Sequence, residues 1–281
     1  MIQSYHSDRE WWSKSQLWTL HSQGPAAFHA RYFGTPQTYG DSDALRKGTH
    51  VHEWAEQGND AWLERVVEIP EDALGAGGRR TKATDQFEAE VLANRPDAIV
   101  LKADELAAYK AQFAAILAND AFCQLTEQTI AREFSVRWVD TSGLQLKCRP
   151  DAVTESCIWD LKTTREAKPS ETFWKSVVDF GYGFQQVLYL MGLEAAGIDI
   201  KEFVFLVTST VPPYACHAVT LPARLIAKAK GQVRTTIAEL QARLEMDHWL
   251  PADSGQVTEL YVPERYMEER NGSRSALCRV Q

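Results

Sequence analysis

From Glu127 onward the hydrophobic period of this chain changes to two, and that change most constrains what it can fold into. TIAREFSVRWVDTSGLQLKCRPDAV alternates apolar and polar residues, with Thr141-Ser142-Gly143 as the turn of an antiparallel pair, and SCIWDLKTT adds a strand after a tight connection at Glu155. A central helix is expected over roughly Thr172 to Ala196. FVFLVTST then reads as a strand buried on both faces, YACHAVTL as a further strand, and LPARLIAKAKGQVRTTIAELQARLEMD as a long amphipathic helix. A strand meander, a crossover helix, more strands and a closing helix predict an α/β (α+β) fold with a central mixed β-sheet flanked by helices.

The chain before residue 126 reads as mainly helical. Ser13 or Ser15 can cap a short helix, Gly24-Pro25 breaks the pattern, and AAFHARYF continues it. Ser15 and Arg31 can contact phosphate; a cap and a surface charge explain them equally well. ALRKGTHVHEWAEQG is a helix in which Gly48 and His52, four residues apart, share a face, so another backbone can approach the histidine. A lone histidine on such a helix is usually a packed residue. WLERVVEIPED reads as a short strand and loop. In ALGAGGRRTKATD, Arg79 and Arg80 on a Gly-rich loop can grip a DNA backbone or simply sit in solvent. FEAEVLANRPDAIVL and ADELAAYKAQFAAILAND both read as helices. The expected organisation is one domain over 1–281: a mainly helical N-terminal region over 1–125 carrying His52, a core over 126–265, and a tail over 266–281.

Composition narrows the function. No window approaches the roughly 18 apolar residues of a membrane span, and the N-terminus lacks an apolar signal core, so a cytoplasmic protein with no membrane partner is expected. The five cysteines are scattered without a CxxC pair, against a disulfide framework or a zinc ribbon. A net charge of −8 argues against a generally sticky nucleic-acid binder, so any DNA site must concentrate its basic residues on one surface.

The central stretch offers such chemistry. Asp151 ends Arg149-Pro150-Asp151, and nine residues later comes Asp160-Leu161-Lys162, each closing a β-prone run. Hydrolysis of a phosphodiester needs an activated water and neutralisation of charge on the phosphate, and Mg²⁺ or Mn²⁺ serves both needs. Magnesium is held by one or two carboxylates plus waters and substrate phosphates, so Asp151 and Asp160 at facing strand ends form a minimal cage. Alternation puts Asp160 and Lys162 on one face, with Leu161 turned to the core and its carbonyl available as a further ligand. Taken singly, each acid is also an ordinary turn residue and the lysine an ordinary surface charge.

These residues resemble the PD-(D/E)xK nuclease superfamily, with Pro150-Asp151 and Asp160-Leu161-Lys162 as its signature. More closely the chain is similar to the exonuclease VIII or RecE-type phage recombination nucleases, through KGTHVHEW, the RRTK loop, EFSVRW, KCRPDAV, WDLKTT, Gln185 with Tyr189, and FVFLVTST. The resemblance implies a restriction-endonuclease-like core in which His52, Asp151 and Asp160 bind metal and Lys162 is the catalytic lysine. It places Glu133 near the site, and Gln185 and Tyr189 along the DNA path or in support of the metal shell. Asp160 stands where many members carry Glu, one methylene longer. Arg149 and Arg165 flank the site in sequence and can form a local basic groove. The implied activity is Mg²⁺-dependent 5′ to 3′ digestion of double-stranded DNA ends. The implied partners are further copies of this chain in a trimeric or tetrameric ring, and a single-strand annealing protein. Rivals are an endonuclease or RecB-like repair nuclease on the same core, and a non-catalytic DNA-binding or assembly protein.

Overall fold

The period-two segments do form strands, but only some of them enter the central sheet. The computed structural model of the protein describes residues 10–35 and 43–250, with Val257 and Glu259; the tail assigned to 266–281 lies outside the described residues. The N-terminal region contains α1 (Lys14–Gln23), α2 (Pro25–Tyr32), α3 (Asp43–Gln57), α4 (Asn59–Arg65), β1 (Val66–Glu68), α5 (Lys82–Asn94), β2 (Ile99–Leu101), α6 (Ala103–Leu117) and α7 (Asp120–Glu127). The core continues with β3 (Ala131–Arg132), β4 (Val136–Val139), β5 (Gln145–Cys148), β6 (Ala152–Val153), β7 (Cys157–Thr164), α8 (Pro169–Asp179), α9 (Tyr182–Ala195), β8 (Glu202–Ser209), β9 (Cys216–Val219) and α10 (Ala223–Met246).

The central sheet has the order β3-β6-β7-β8-β9. Strands β7 and β8 are parallel and every other pair in this sheet is antiparallel. A parallel pair needs a crossover, which α8 and α9 supply. Alternation along the strands then makes two cores. Ile158, Phe203, Phe205 and Val207 face the layer of α1, α8, α9 and α10, whereas Trp159, Leu161 and Leu206 face α3, α4, α6 and α7. The sheet is thus the middle of three layers, a mixed α/β arrangement consistent with a restriction-endonuclease-like fold.

The β4–β5 hairpin is a separate two-stranded sheet packed against α9. Its free edge receives the chain N-terminal to α1: Trp12 N donates to the Gln145 carbonyl at 2.8 Å, and Lys147 N donates to the Trp12 carbonyl at 2.9 Å. This pairing fixes where α1 starts. Ser13 caps it, with its amide donating to Gln16 Oε1 at 2.8 Å.

Four expectations change. The helix expected over 172–196 is two helices, because the chain turns at Gly181 with φ 63°, and a Cβ there would fall 2.4 Å from the Trp18 ring. Both the backbone and the packing require glycine at that point. The helix expected over 87–101 ends at Asn94, before Pro96, and Ile99–Leu101 forms a fully buried strand parallel to β1. A short apolar run carries no period to separate these cases, and the residue before a proline avoids the helical region. In the stretch 62–72 only Val66–Glu68 is strand, since Trp62 to Arg65 close α4. Finally, Glu133 is not within a strand. It follows β3 in the left-handed region at φ 48°, where the chain leaves the central sheet for the hairpin.

Candidate active site

Strand β6 pairs with β7 only at Ala152↔Trp159 and Val153↔Ile158, so β7 runs on for five residues with β8 alone beside it. Asp151 precedes β6 and Asp160 lies within β7. Neither acid closes the strand it was expected to end: β5 stops at Cys148, three residues before Asp151, and β7 runs on past Asp160 to Thr164. The step in length opens a notch at the sheet edge. There Leu161 N donates to Asp151 Oδ2 at 3.1 Å. Since the N–H and C=O of one strand residue point the same way, the Leu161 carbonyl leaves on this same unpaired flank, while its side chain is buried in the core.

Asp160 is 1% exposed and is held from two sides. Lys162, on the same face of β7, pairs with its Oδ1, and Gln185 Nε2 on α9 donates to its Oδ2. Gln185 is itself buried, so it orients the carboxylate from within the core. His52 on α3 approaches from another layer, with Nδ1 3.3 Å from Asp151 Oδ2. Helix α3 lies close to β7 through Gly48, where a Cβ would stand 3.4 Å from Thr163 Oγ1, an ordinary contact that an alanine would also satisfy. Lys162 Nζ lies 5.0 Å from the centroid of the Tyr182 ring.

The charges perturb one another. Burial, and then the neighbouring Asp151, push the Asp160 carboxyl above the usual range against the pull of Lys162. Burial alone would raise Asp151 too, but the His52 charge and hydrogen bond, Lys162 and the Leu161 amide outweigh it and hold it low. Burial would strip Lys162 of its proton; Asp160 and Asp151 reverse that and keep it a firm ammonium. Burial likewise favours neutral His52, and Asp151 more than offsets it, raising its pKa.

This donor set suits a hard divalent cation. Asp160 Oδ1 is buried and, although Lys162 is its ion partner, has no hydrogen bond of good geometry. Two carboxylates and a backbone carbonyl border one notch. Among the described residues no three His, Cys, Asp or Glu side chains already converge as a closed cage. Magnesium does not require one, since water and substrate phosphates complete its shell.

A cleft of about 640 Å³ opens beside the notch. Of the residues nominated from sequence it gathers Ser15, Arg31, Glu133, Arg149, Asp151 and Tyr189. Arg149 Nε pairs with Glu133 Oε2 at 2.7 Å, and Glu133 N donates to the Asp151 carbonyl at 3.0 Å, which ties the strap after β3 to Asp151. Burial raises the Glu133 carboxyl despite Arg149.

Other nominated residues are elsewhere. Arg165 is exposed, 3.9 Å from Asp43 on α3. Arg80 pairs with Asp85 and Glu88 of α5, Arg79 Nε donates to the nearby Ala76 carbonyl, and neither lines the cleft. Sequence reasoning missed Lys14, Lys147 and Tyr182. Lys147 lines the cleft although only 2% exposed, and its place in the alternating QLKC run was the available sign. Lys14 carried no sign beyond its position in a capped first turn.

Residues 13–260 match the family described as a PDDEXK-like domain of unknown function (DUF3799), a span that includes every residue of the notch. The chain also resembles a crystal structure from Eubacterium rectale, of a protein provisionally named an exonuclease. The TM-score is 0.58 at 14% identity, covering 95% of this chain and 97% of that one. At that identity the likeness concerns the fold alone. No curated protein matches the sequence. Among the described residues no helix is long and apolar enough to cross a membrane.

Proposed function

This chain belongs to the PDDEXK-like domain family DUF3799, and on that premise we propose that it is a divalent-metal-dependent nuclease digesting linear double-stranded DNA from 5′ to 3′. The observation that carries the reading is the cluster of buried Asp160 with half-buried Asp151 and Lys162, the Leu161 carbonyl leaving on the same notch. Support for exonuclease action comes from the provisional name of the Eubacterium rectale protein, and support for the 5′ start comes from the resemblance to RecE-type enzymes. The same resemblance supports a ring of three or four copies and an annealing protein that takes over the exposed 3′ strand.

Asp151, Asp160, the Leu161 carbonyl and a neutral His52 are the groups that would hold Mg²⁺ or Mn²⁺. When bound, the ion supplies Lewis acidity to the phosphoryl oxygen and lowers the pKa of water. The chain's own residues do the rest. Lys162 stays protonated, so it serves as a hydrogen-bond donor to the attacking water and as a counter-charge to the phosphorane-like transition state, not as a base. Gln185 fixes the rotamer of Asp160 and His52 that of Asp151, so neither acid must reorganise during reaction. Arg149 keeps Glu133 turned toward itself, at the rim of the cleft.

The test is digestion of linear duplex carrying a 5′ or a 3′ label, alongside closed circular duplex, with Mg²⁺. Early loss of the 5′ label with intact circles is the expected result. Nicking of the circles would instead establish an endonuclease. If Lys162→Ala and Asp151→Ala digest DNA as well as wild type does, the site assignment fails.

A further inference from the structure

Two lysines from different layers meet over one ring. Lys162 Nζ from β7 lies 5.0 Å from the Tyr182 centroid, and Lys14 Nζ from the first turn of α1 lies 5.7 Å from it. Lys162 has Asp160 as its counter-ion. Lys14 donates to the Phe180 carbonyl and lies 5.8 Å from the Trp18 ring; among the described residues it has no carboxylate within ion-pairing distance. Asp160 and Asp151 compensate Lys162, whereas Lys14 feels the Lys162 charge with no ion partner of its own. Burial and Lys162 accordingly press the Lys14 pKa down to about 8.

The placement is built, not incidental. Backbone pairing of Trp12 with β5 sets the start of α1, and the Ser13 cap orients its first turn. Lys14 lines the cleft beside Asp151, Lys147 and Arg149. Its anchor, the Phe180 carbonyl, belongs to the turn at Gly181, whose φ of 63° and contact with Trp18 admit only glycine. A carbonyl is a weak partner for an ammonium compared with an anion, and the cleft that Lys14 lines is bordered by Asp151 of the notch.

We propose that Lys14 is a substrate-binding residue: its ammonium leaves the Phe180 carbonyl to grip a backbone phosphate of the DNA strand lying in the cleft next to Lys162. The inference rests on the nuclease reading above and names a residue through which substrate is held. A phosphate beside both lysines relieves their repulsion, so the bound state is favoured over the empty one by the same charge that strains the empty one. Lysine suits this role as a compact, rotatable point charge.

The test is steady-state digestion of linear duplex with Mg²⁺ over a series of salt concentrations, for wild type, Lys14→Met and Lys14→Arg. Lys14→Met removes the ammonium that lies near the Trp18 and Tyr182 rings and keeps an unbranched apolar stem. It is expected to raise KM about tenfold with a smaller change in kcat. The slope of log kcat/KM against log salt should shrink by about 0.9, the signature of one lost phosphate contact. Lys14→Arg should restore most of both, and thermal unfolding should be unchanged in either variant. A Lys14→Met protein with wild-type KM and salt slope overturns the inference while the wild-type digestion upholds the nuclease reading. The inference is equally overturned if Lys14→Arg fails to rescue, or if activity falls only in step with folded protein. Absence of any digestion by wild type removes the nuclease reading, and this inference with it.

Discussion

The notch between β6 and β7 and the Gly-rich loop before α5 both present charged residues suited to nucleic acid, yet they hold that charge in opposite ways. In the notch, Asp160 is 1% exposed, each charge shifts its neighbours, and Asp160 Oδ1 is left without a hydrogen bond of good geometry. On the loop, Arg80 is paired locally with Asp85 and Glu88, and Arg79 with a carbonyl three residues back, all at the surface. Surface pairs of this kind are worth about 0 to 1 kcal/mol, whereas a broken buried pair costs about 3 to 5 kcal/mol. Residue type alone does not separate the two regions; dielectric and packing do.

That contrast can be broken or sharpened by substitution, starting with the largest effect. Lys162→Met should lower the digestion rate by roughly 10²- to 10³-fold, measured as release of acid-soluble nucleotide. It should also destabilise the metal-free protein by about 3 kcal/mol in urea titrations at pH 8, since Asp160 is then a buried charge without a counter-ion. The sign with pH is definite. A carboxyl with a raised folded pKa contributes stability that is present below its unfolded value and lost as pH rises through the folded one. Without Lys162 that rise is larger, so the gap between variant and wild type should close toward pH 5 and widen toward pH 8.

Gln185→Leu comes next. It removes the donor to Asp160 Oδ2 from a buried position and should cost about 1 to 3 kcal/mol of stability, with a rate loss of roughly tenfold from a misoriented carboxylate. Wild-type rate with lowered stability would show that Gln185 is only a packing residue.

A smaller effect is expected at His52 in Asp151→Asn. Burial lowers the pKa of this histidine and Asp151 raises it by more, so neutralising the acid should drop the His52 titration below its wild-type value in an NMR pH series. The stability that His52 lends below its unfolded pKa, and that fades as pH rises through the folded one, should be lost with it. An unmoved titration would mean that the contact of 3.3 Å carries no charge interaction.

The least effect should follow from Arg79→Ala with Arg80→Ala: stability within about 0.5 kcal/mol and digestion unchanged. A tenfold loss of DNA affinity there would break the contrast and put the loop in the DNA path.

Much of the fold was legible because burial imposes a period. Alternation identified β4, β5 and β7, and the continuous run FVFLVTST identified β8, whose two faces serve two cores. The errors fall where the period is too short to read or runs across a break without marking it, as at Glu133 between β3 and β4. Ile99–Leu101 is too short to show one, and the break at Gly181 interrupts a pattern that helical spacing carries on both sides. The grouping of Asp151, Asp160, Leu161 and Lys162 was legible from local spacing, since all four lie within one strand connection. His52 needed the family resemblance, being almost a hundred residues away.

By itself the sequence determined which side chains share a face of β7, because alternation along an extended chain is local geometry. It could not determine which residues from other layers would face them. That Gln185 meets Asp160, that His52 meets Asp151, and that Lys14 comes to stand over Tyr182 beside Lys162 depends on the docking of α9, α3 and α1 against the sheet. The missing pairing of β7 beyond Trp159, which opens the notch, also belongs to the tertiary structure. The reason is physical. Side-chain direction is set by adjacent backbone dihedrals, whereas proximity across layers is set by the packing of whole hydrophobic faces, which no single stretch of sequence encodes.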